Sequence, residues 1–337
     1  MYNPSEVGKK GTIFGLPYTD EEADLILLPV HLDVTVSYAD GTAQAPSLIL
    51  DESSQLDLSL LSISEPWNMK MAMTQGIGTL SENAHARALA KKVIDALENG
   101  DRPNDEIATQ VNAYCEQVHK LVEDKCISLI EKDKLVGIIG GDHSSPLGLV
   151  RALARTHHFG ILQIDAHMDL RDAYEGFTFS HASIMYNALQ EEGVSSLTQV
   201  GIRDFCEEEE NYVNTSKRDI HVFYDEQLFK ERMGGVIWKD HVQQIIKTLP
   251  VNVYISFDVD GLDPSLCPNT GTPVPGGLSF NEAIYLLEQV VASGRKIIGF
   301  DLCETGRSTW DANVSARVLF RIATAIGLSN DLLQLRS

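Results

Sequence analysis

FGILQIDAHMD, residues 159–169, opens as a near-continuous apolar run and breaks into the polar cluster Asp165-Ala166-His167-Met168-Asp169. Runs of this kind mark parallel strands covered on both faces, because a strand with one wet face would alternate instead. Six further runs share the pattern: Asp24 to Val30, Lys134 to Gly140, Leu197 to Ile202, Asp219 to Tyr224, Val251 to Phe257 and Lys296 to Leu302. Helical spacing fills the intervals. Ile107, Val111, Cys115, Val118 and Val122 recur on one helix face. Ser279 with Glu282 forms a capping box ahead of Ile284, Leu287 and Val291, and Gly294 ends that helix. Strand and helix alternate from end to end, so the chain reads as an α/β fold with a doubly wound sheet. The best candidate break, Glu98 to Asp105, has the length of a surface loop between two helices, and residues 1–337 read as one domain.

In an open α/β sheet, ligands bind outside the carboxyl ends of the strands. Four runs end there in unusual polarity: Gly140-Gly141-Asp142-His143-Ser144, Asp165 to Asp169, Asp258-Val259-Asp260-Gly261-Leu262-Asp263-Pro264, and Cys303-Glu304-Thr305. Residues i, i+2 and i+4 of extended backbone project to one side, so Asp165, His167 and Asp169 are expected to converge, as are Asp258 and Asp260. Four carboxylates sharing a partly desolvated site need positive charge between them, and two divalent cations balance four aspartates. With His143 and His167 added, the donor set suits Mn²⁺ first, with Co²⁺, Ni²⁺, Fe²⁺ or Zn²⁺ as alternatives, whereas Mg²⁺ and Ca²⁺ sites rarely recruit histidine. A structural ion-pair network would need matched Lys or Arg, and near these motifs only Arg171 is on offer.

A paired-metal centre lowers the pKa of a bridging water, which makes hydrolysis the natural reaction class. His181, in Phe179-Ser180-His181-Ala182-Ser183, is placed to carry a proton to a leaving group, its plainer reading being a loop histidine. Glu304 suits binding of a planar cation, its plainer reading being an edge salt bridge.

Composition narrows the function classes. The chain has 337 residues, 43% hydrophobic and 22% charged, an ordinary globular balance able to bury a large core. Its formal charge of −21, from 27 Lys and Arg against 48 Asp and Glu, repels nucleic-acid phosphates and anionic lipid. Five cysteines without a CxxC pair read as reduced thiols. With no secretory leader and no membrane span in the sequence, the expectation is a soluble, cytoplasmic protein without nucleic-acid or membrane partners.

Taken together, GGDHS (140–144), DAHMDLRD (165–172), SHAS (180–183), SFDVDGLDPS (256–265) and GTPVPGG (271–277) resemble, in order and spacing, the motifs of the ureohydrolases, the dinuclear manganese enzymes that include arginase, agmatinase and formimidoylglutamase. The resemblance spans the chain from the first strand onward. It implies a three-layer α/β/α architecture with a mainly parallel sheet, a homo-oligomer (trimer or hexamer), and hydrolysis of a guanidino compound to urea and an amine in arginine or polyamine metabolism. It further implies one metal on His143, Asp165, Asp169 and Asp258 and a second on Asp165, His167, Asp258 and Asp260, with a bridging hydroxide attacking the guanidinium carbon. Asp169 would orient that hydroxide, Glu304 would hold the guanidinium, and His181 would help protonate the departing amine. Arg171 and Thr272 are further candidates for substrate contact.

The segment Asp165 to Met185 looks closest to agmatinases, which implies agmatine as substrate and putrescine with urea as products. Leu170-Arg171-Asp172 replaces the Asn-Thr-Pro of arginases, and Cys206 aligns with an aspartate that arginases use for the substrate amino group. Tyr186-Asn187 stands where agmatinases commonly carry two arginines. Arginase and a guanidino-acid hydrolase such as 4-guanidinobutyrase, with Arg171 on the acid, are the alternative substrates. Formimidoylglutamases usually lack the His of SHAS. Outside this reaction class stand a single-zinc deacetylase of related fold and an inactive homologue serving as a binding or assembly subunit.

Overall fold

The computed structural model describes Pro4 and residues 8–336. Among the described residues there are ten strands: β1 (Leu25–Pro29), β2 (Ile63–Ser64), β3 (Met71–Met73), β4 (Leu135–Ile139), β5 (Phe159–Ile164), β6 (Val194–Ile202), β7 (Asp219–Tyr224), β8 (Asn252–Asp258), β9 (Lys296–Cys303) and β10 (Gln334–Leu335). The helices are α1 (Ala45–Ser53), α2 (Leu80–Glu98), α3 (Asp105–Ile130), α4 (Leu147–Ala154), α5 (Ile184–Ala188), α6 (Glu207–Thr215), α7 (Asp225–Met233), α8 (Trp238–Lys247), α9 (Phe280–Ala292) and α10 (Thr309–Ser329). All seven apolar runs of the sequence are strands of one eight-stranded sheet, ordered β3-β1-β4-β9-β8-β5-β6-β7, in which every neighbouring pair is parallel.

Side chains alternate through this sheet and build a core on each face. Leu25 and Leu27 of β1 join the cluster that includes α1, α8, α9 and α10, whereas Ile26 and Leu28 join the one that includes α2, α3, α4 and α5. The result is the α/β/α layering, with buried strands that read as continuous apolar runs because both faces are covered. Local signals place the helix ends: Ser279 and Glu282 close the capping box of α9, and Gly294, at φ 80°, follows its C-cap. Residues 99–104 form the loop between α2 and α3 expected from ENGDRPND. The sequence reading missed β3, a three-residue edge strand on β1, and the small antiparallel pair β2–β10.

Chain order explains where the site lies. After β4 the chain skips two sheet positions to form β5, builds outward through β6 and β7, and returns to fill the gap with β8 and β9. The strands β4, β9, β8 and β5, whose carboxyl ends carry the four polar motifs, are therefore adjacent in the middle of the sheet. Strand order reverses there, leaving a crevice at the carboxyl edge. Among the described residues, no helix is long and apolar enough to cross a membrane.

Candidate metal centre and active-site cavity

Two glycines let the motif loops cross closely enough to bring their side chains together. A Cβ on Gly141 would lie 1.9 Å from the Leu32 carbonyl oxygen, and one on Gly261 would lie 2.6 Å from the Asp165 nitrogen. The backbone contacts made possible include Asp142 N–H to Leu32 O at 2.7 Å and Ala166 N–H to the Asp260 carboxylate at 3.0 Å. GGDH and DVDG thus hold their glycines for packing, beside the acids they hold for chemistry.

His143 is buried at the centre of the cluster. Its Nδ1 lies 2.9 Å from Asp165 Oδ2, 2.9 Å from Asp169 Oδ2 and 3.3 Å from Asp258 Oδ2. Its Nε2 lies 2.9 Å from Ser256 Oγ. Beside this group, His167 Nδ1 lies 3.1 Å from Asp260 Oδ2 and 3.5 Å from Asp165 Oδ1. Two ligand-like groups result, His143-Asp165-Asp258 and Asp165-His167-Asp260, each with its donor atoms within 4.8 Å of one another and with Asp165 common to both. Asp169 adds a carboxylate to the first.

The electrostatics show what this cluster needs. Burial raises the Asp258 carboxyl well above its ordinary range, and Asp260 and Asp165 beside it push the same way. Asp169 is raised to about 7 by burial and by Asp165. Burial would raise Asp165 too, but His143 and His167 hold its carboxyl below the usual range. Burial alone would lower His143 and His167, yet the carboxylates around them raise both well above the ordinary histidine value. Without cations the cluster must take up protons to relieve repulsion. Oxygen and imidazole donors aimed at common points, crowded beyond what their own charges tolerate, fit two divalent ions.

The extended comb expected for Asp165, His167 and Asp169 is not the geometry found. Strand β5 ends at Ile164, and Asp169 has a left-handed backbone, φ 54°. That turn is pinned because the Asp169 carbonyl accepts from Met185 N at 3.0 Å and Tyr186 N at 3.2 Å. Likewise Asp258 ends β8, and Asp260 sits in the 3₁₀ turn Val259–Gly261, its N–H 2.8 Å from Asp258 Oδ1. The side chains converge through turned strand ends, where the strand period no longer operates.

Glu304 is also left-handed, φ 62°, at the end of β9. Its N–H donates to Gly141 O at 2.8 Å and its carbonyl accepts from Thr270 Oγ1 at 2.7 Å. Of its carboxylate oxygens, Oε1 accepts from His143 N at 2.9 Å, while Oε2 is buried without a hydrogen-bond partner; Glu304 is among the residues that line a cavity of about 180 Å³. His181, Arg171 and Thr272 line the same cavity. Burial and the positive neighbours His167 and His143 lower His181 to about 3, so its ring is neutral at pH 7. Arg171 stacks 4.5 Å over the Tyr174 ring with its Nε 3.9 Å from Glu209 Oε2, and Thr272 Oγ1 lies 3.5 Å from Asp260 Oδ2.

Several residues at the site escaped the sequence reading. Glu209, in the acidic run Glu207 to Glu210 that opens α6, is buried, lines the cavity, and accepts from Leu170 N at 3.1 Å and Cys206 N at 3.0 Å. Arg203 donates to the carbonyls of Gly201, Asp260, Leu262 and Val274, tying the Asp260 turn to the loop that carries Thr272. The signal for Arg203 was a base directly after strand β6, at the sheet edge where ligands bind, and for Glu209 an acid in the first turn of the helix that follows.

Comparison with known proteins identifies the family and the fold. The model of the arginase family matches residues 23–327. An N(1)-aminopropylagmatine ureohydrolase of Thermus thermophilus is 31% identical over 323 residues, 95% of this chain and 93% of the relative. The agmatinase of Pyrococcus horikoshii is 29% identical, covering 93% of this chain and 95% of its own length. The crystal structure of agmatine ureohydrolase from Thermoplasma volcanium superposes with a TM-score of 0.72 over 95% of this chain and 96% of that one, at 22% identity, and so attests the fold. With the family pattern matched along nearly its whole length, the chain belongs to the arginase family, hydrolases of the carbon–nitrogen bonds of linear amidines.

Proposed function

We propose that the chain cleaves a guanidino compound with a cationic tail, of the agmatine class, into urea and an amine. The observation that carries this reading is Glu304, a buried carboxylate with Oε2 unpartnered, which lines the same cavity as His143, His167, Asp169, Asp258 and Asp260. A guanidinium is a planar fork of N–H donors and satisfies such an oxygen by charge-assisted hydrogen bonds. In this reading His143, Asp165, Asp169 and Asp258 hold one divalent ion and Asp165, His167, Asp258 and Asp260 the other, with manganese best suited to the donor set. Bound there, two such ions neutralise the acids and make hydroxide available near neutral pH.

Hydrolysis forms a bond from the water oxygen to the guanidinium carbon and breaks the bond from that carbon to the tail nitrogen, which must gain a proton to leave as an amine. Asp169, held by its pinned turn, orients the attacking oxygen. His181 is the proton carrier: its neutral ring keeps one N–H and one lone pair, and it lines the cavity.

The tail is read by what lies beyond the cluster. Asp204 and Glu209 line the cavity, and Arg171, its one arginine, is already engaged by Glu209 and Tyr174. A cationic amine is drawn to that wall, whereas a carboxylate tail would meet the two acids. We further propose, from the resemblance to ureohydrolases, that the protein acts in the cytoplasm as a homo-oligomer in polyamine or arginine metabolism.

Manganese-loaded protein, assayed for urea release, is expected to turn over agmatine or N(1)-aminopropylagmatine faster than arginine or 4-guanidinobutyrate. The faster of the two amines defines the tail length the cavity accepts. Faster release from 4-guanidinobutyrate would overturn the cationic-tail reading.

A further inference from the structure

One step back from the ligand-bearing strand ends, four fully buried polar side chains occupy register-matched positions on adjacent strands: Gln199 on β6, Gln163 on β5, Ser256 on β8 and Asp301 on β9. Polar groups this deep in a sheet persist where they are hydrogen-bonded. Ser256 reaches His143, as described above. The two glutamines form a separate chain of contacts. Gln199 Nε2 donates to Gln163 Oε1 at 2.6 Å and to the Met168 carbonyl at 2.7 Å. Gln163 Nε2 in turn donates to Asp165 Oδ2 at 2.7 Å and to the His167 carbonyl at 3.3 Å.

An amide can turn over, exchanging its oxygen for its nitrogen, and here each orientation is dictated by the next group. Gln199 must present nitrogen, because the Met168 carbonyl only accepts. Gln163 must then present oxygen to Gln199 and nitrogen to Asp165. Turned over, Gln163 would set its own oxygen against the Asp165 carboxylate. The far oxygen, Asp165 Oδ1, accepts from His167 N at 2.7 Å, so the carboxylate is held at both ends. Its Oδ2 faces His143 and its Oδ1 faces His167.

We propose that Gln199 and Gln163 are positioning residues of the metal centre: Gln199 latches the amide of Gln163, and Gln163 holds the Asp165 carboxylate in the orientation that lets one side chain serve both ligand groups. The proposal rests on the reading of the six residues as metal ligands. A neutral donor suits the task, because it orients the carboxylate without competing as a counter-charge, and outer hydrogen-bond partners of this kind typically change metal affinity by about 10–100-fold. Both glutamines lie inside apolar strand runs, and neither lines the cavity, so neither touches substrate.

The test is Mn²⁺ titration by calorimetry of the full chain, stripped by chelation, as wild type, Gln163→Met, Gln199→Met and the double variant. Melting of the metal-free proteins serves as the fold check. Gln163→Met is expected to weaken Mn²⁺ binding by about 10–100-fold. Gln199→Met, which leaves Gln163 Oε1 without its donor and the amide held only at its nitrogen, should weaken it less. If Gln199 acts through Gln163, the double variant binds no more weakly than Gln163→Met alone, a non-additivity that general loosening of the core would not produce. Wild-type affinity in both single variants would overturn the relay, as would fully additive losses. Should Gln163→Met not fold, Gln199→Met decides alone, weakened binding at unchanged metal-free melting supporting the latch and unchanged binding refuting it. Failure of the wild type itself to bind a divalent ion would instead refute the ligand assignment.

Discussion

Two histidines of this chain are equally buried and oppositely charged in tendency. His119, on α3, packs its ring edge-on against Phe179 at 5.3 Å, and the nearest carboxylate, Glu116, comes no closer than 3.9 Å to Nδ1. Burial, aided by the nearby Arg151, lowers its pKa to about 3. His143, at the carboxyl edge of the sheet, has three carboxylate oxygens within 3.3 Å of one nitrogen, and they raise its pKa well above the ordinary value against the same burial. Burial by itself discharges an imidazole; convergent carboxylates reverse the outcome. The first environment leaves both ring nitrogens of His119 buried without a hydrogen-bond partner but gathers no acids that need a cation, whereas the second calls for cations.

The largest blow to the second environment is Asp258→Ala. It removes a carboxylate from the centre of the cluster, and both bound metal and turnover should vanish, the latter by at least about 10³-fold given the several kcal/mol that metal catalysis supplies. Metal content by atomic emission, alongside urea release, checks this, and unchanged metal content would contradict the ligand reading. Burial and the acids Asp142 and Asp260 raise the Glu304 carboxyl well above its ordinary range, so a bound guanidinium is what would hold it ionised, and Glu304→Gln keeps the shape while removing that charge. Its expected cost is about 10²-fold in kcat/KM, the worth of a charge-assisted hydrogen bond, with metal content unchanged.

Proton release separates the two environments directly. Metal-free at pH 7, His143 carries a proton because its pKa is raised, and Asp169, raised to about 7, is partly protonated. Binding of Mn²⁺ should therefore expel protons and tighten as pH rises, read as a dependence of calorimetric heat on the ionisation enthalpy of the buffer. Heats independent of buffer would show that the cluster is already deprotonated.

The smallest effect belongs to His119. Its folded pKa of about 3 lies below the ordinary 6.5, so the unfolded chain binds the proton more readily. The resulting stability is full above about pH 6.5 and is lost as pH falls toward 3. His119→Phe should flatten the fall of melting temperature between about pH 6.5 and pH 4.5 while leaving urea release near wild type. An unchanged slope would place the acid sensitivity elsewhere.

Much of this contrast was legible in the sequence, and what escaped is physically specific. The seven apolar runs became sheet strands because continuous hydrophobicity and parallel burial are the same fact seen twice. Edge strand β3 escaped because three residues, Met71–Met73, carry too little pattern to stand out. The residues named for the metal and the cavity do come together, but through the left-handed turn at Asp169 and the 3₁₀ turn at Asp260, since a period-two pattern does not say where a strand stops. Gln163, Gln199, Ser256 and Asp301 were visible as polar interruptions of apolar runs. Their alignment depends on register between strands distant in sequence, which no local window contains.

Asp169 and Glu304 share a left-handed backbone that side chains other than Gly, Asn and Asp rarely adopt, and both sit among like charges. For the unloaded chain these are poor choices, since Asn at 169 would suit the turn and remove a repulsion. A laboratory selection for thermal stability alone would therefore erode the centre first, enriching neutral residues at the positions where activity is concentrated. On the proposed metal reading, selection carried out with manganese present would favour the aspartate again, because an ion bound there would stabilise only the chain that kept its acids.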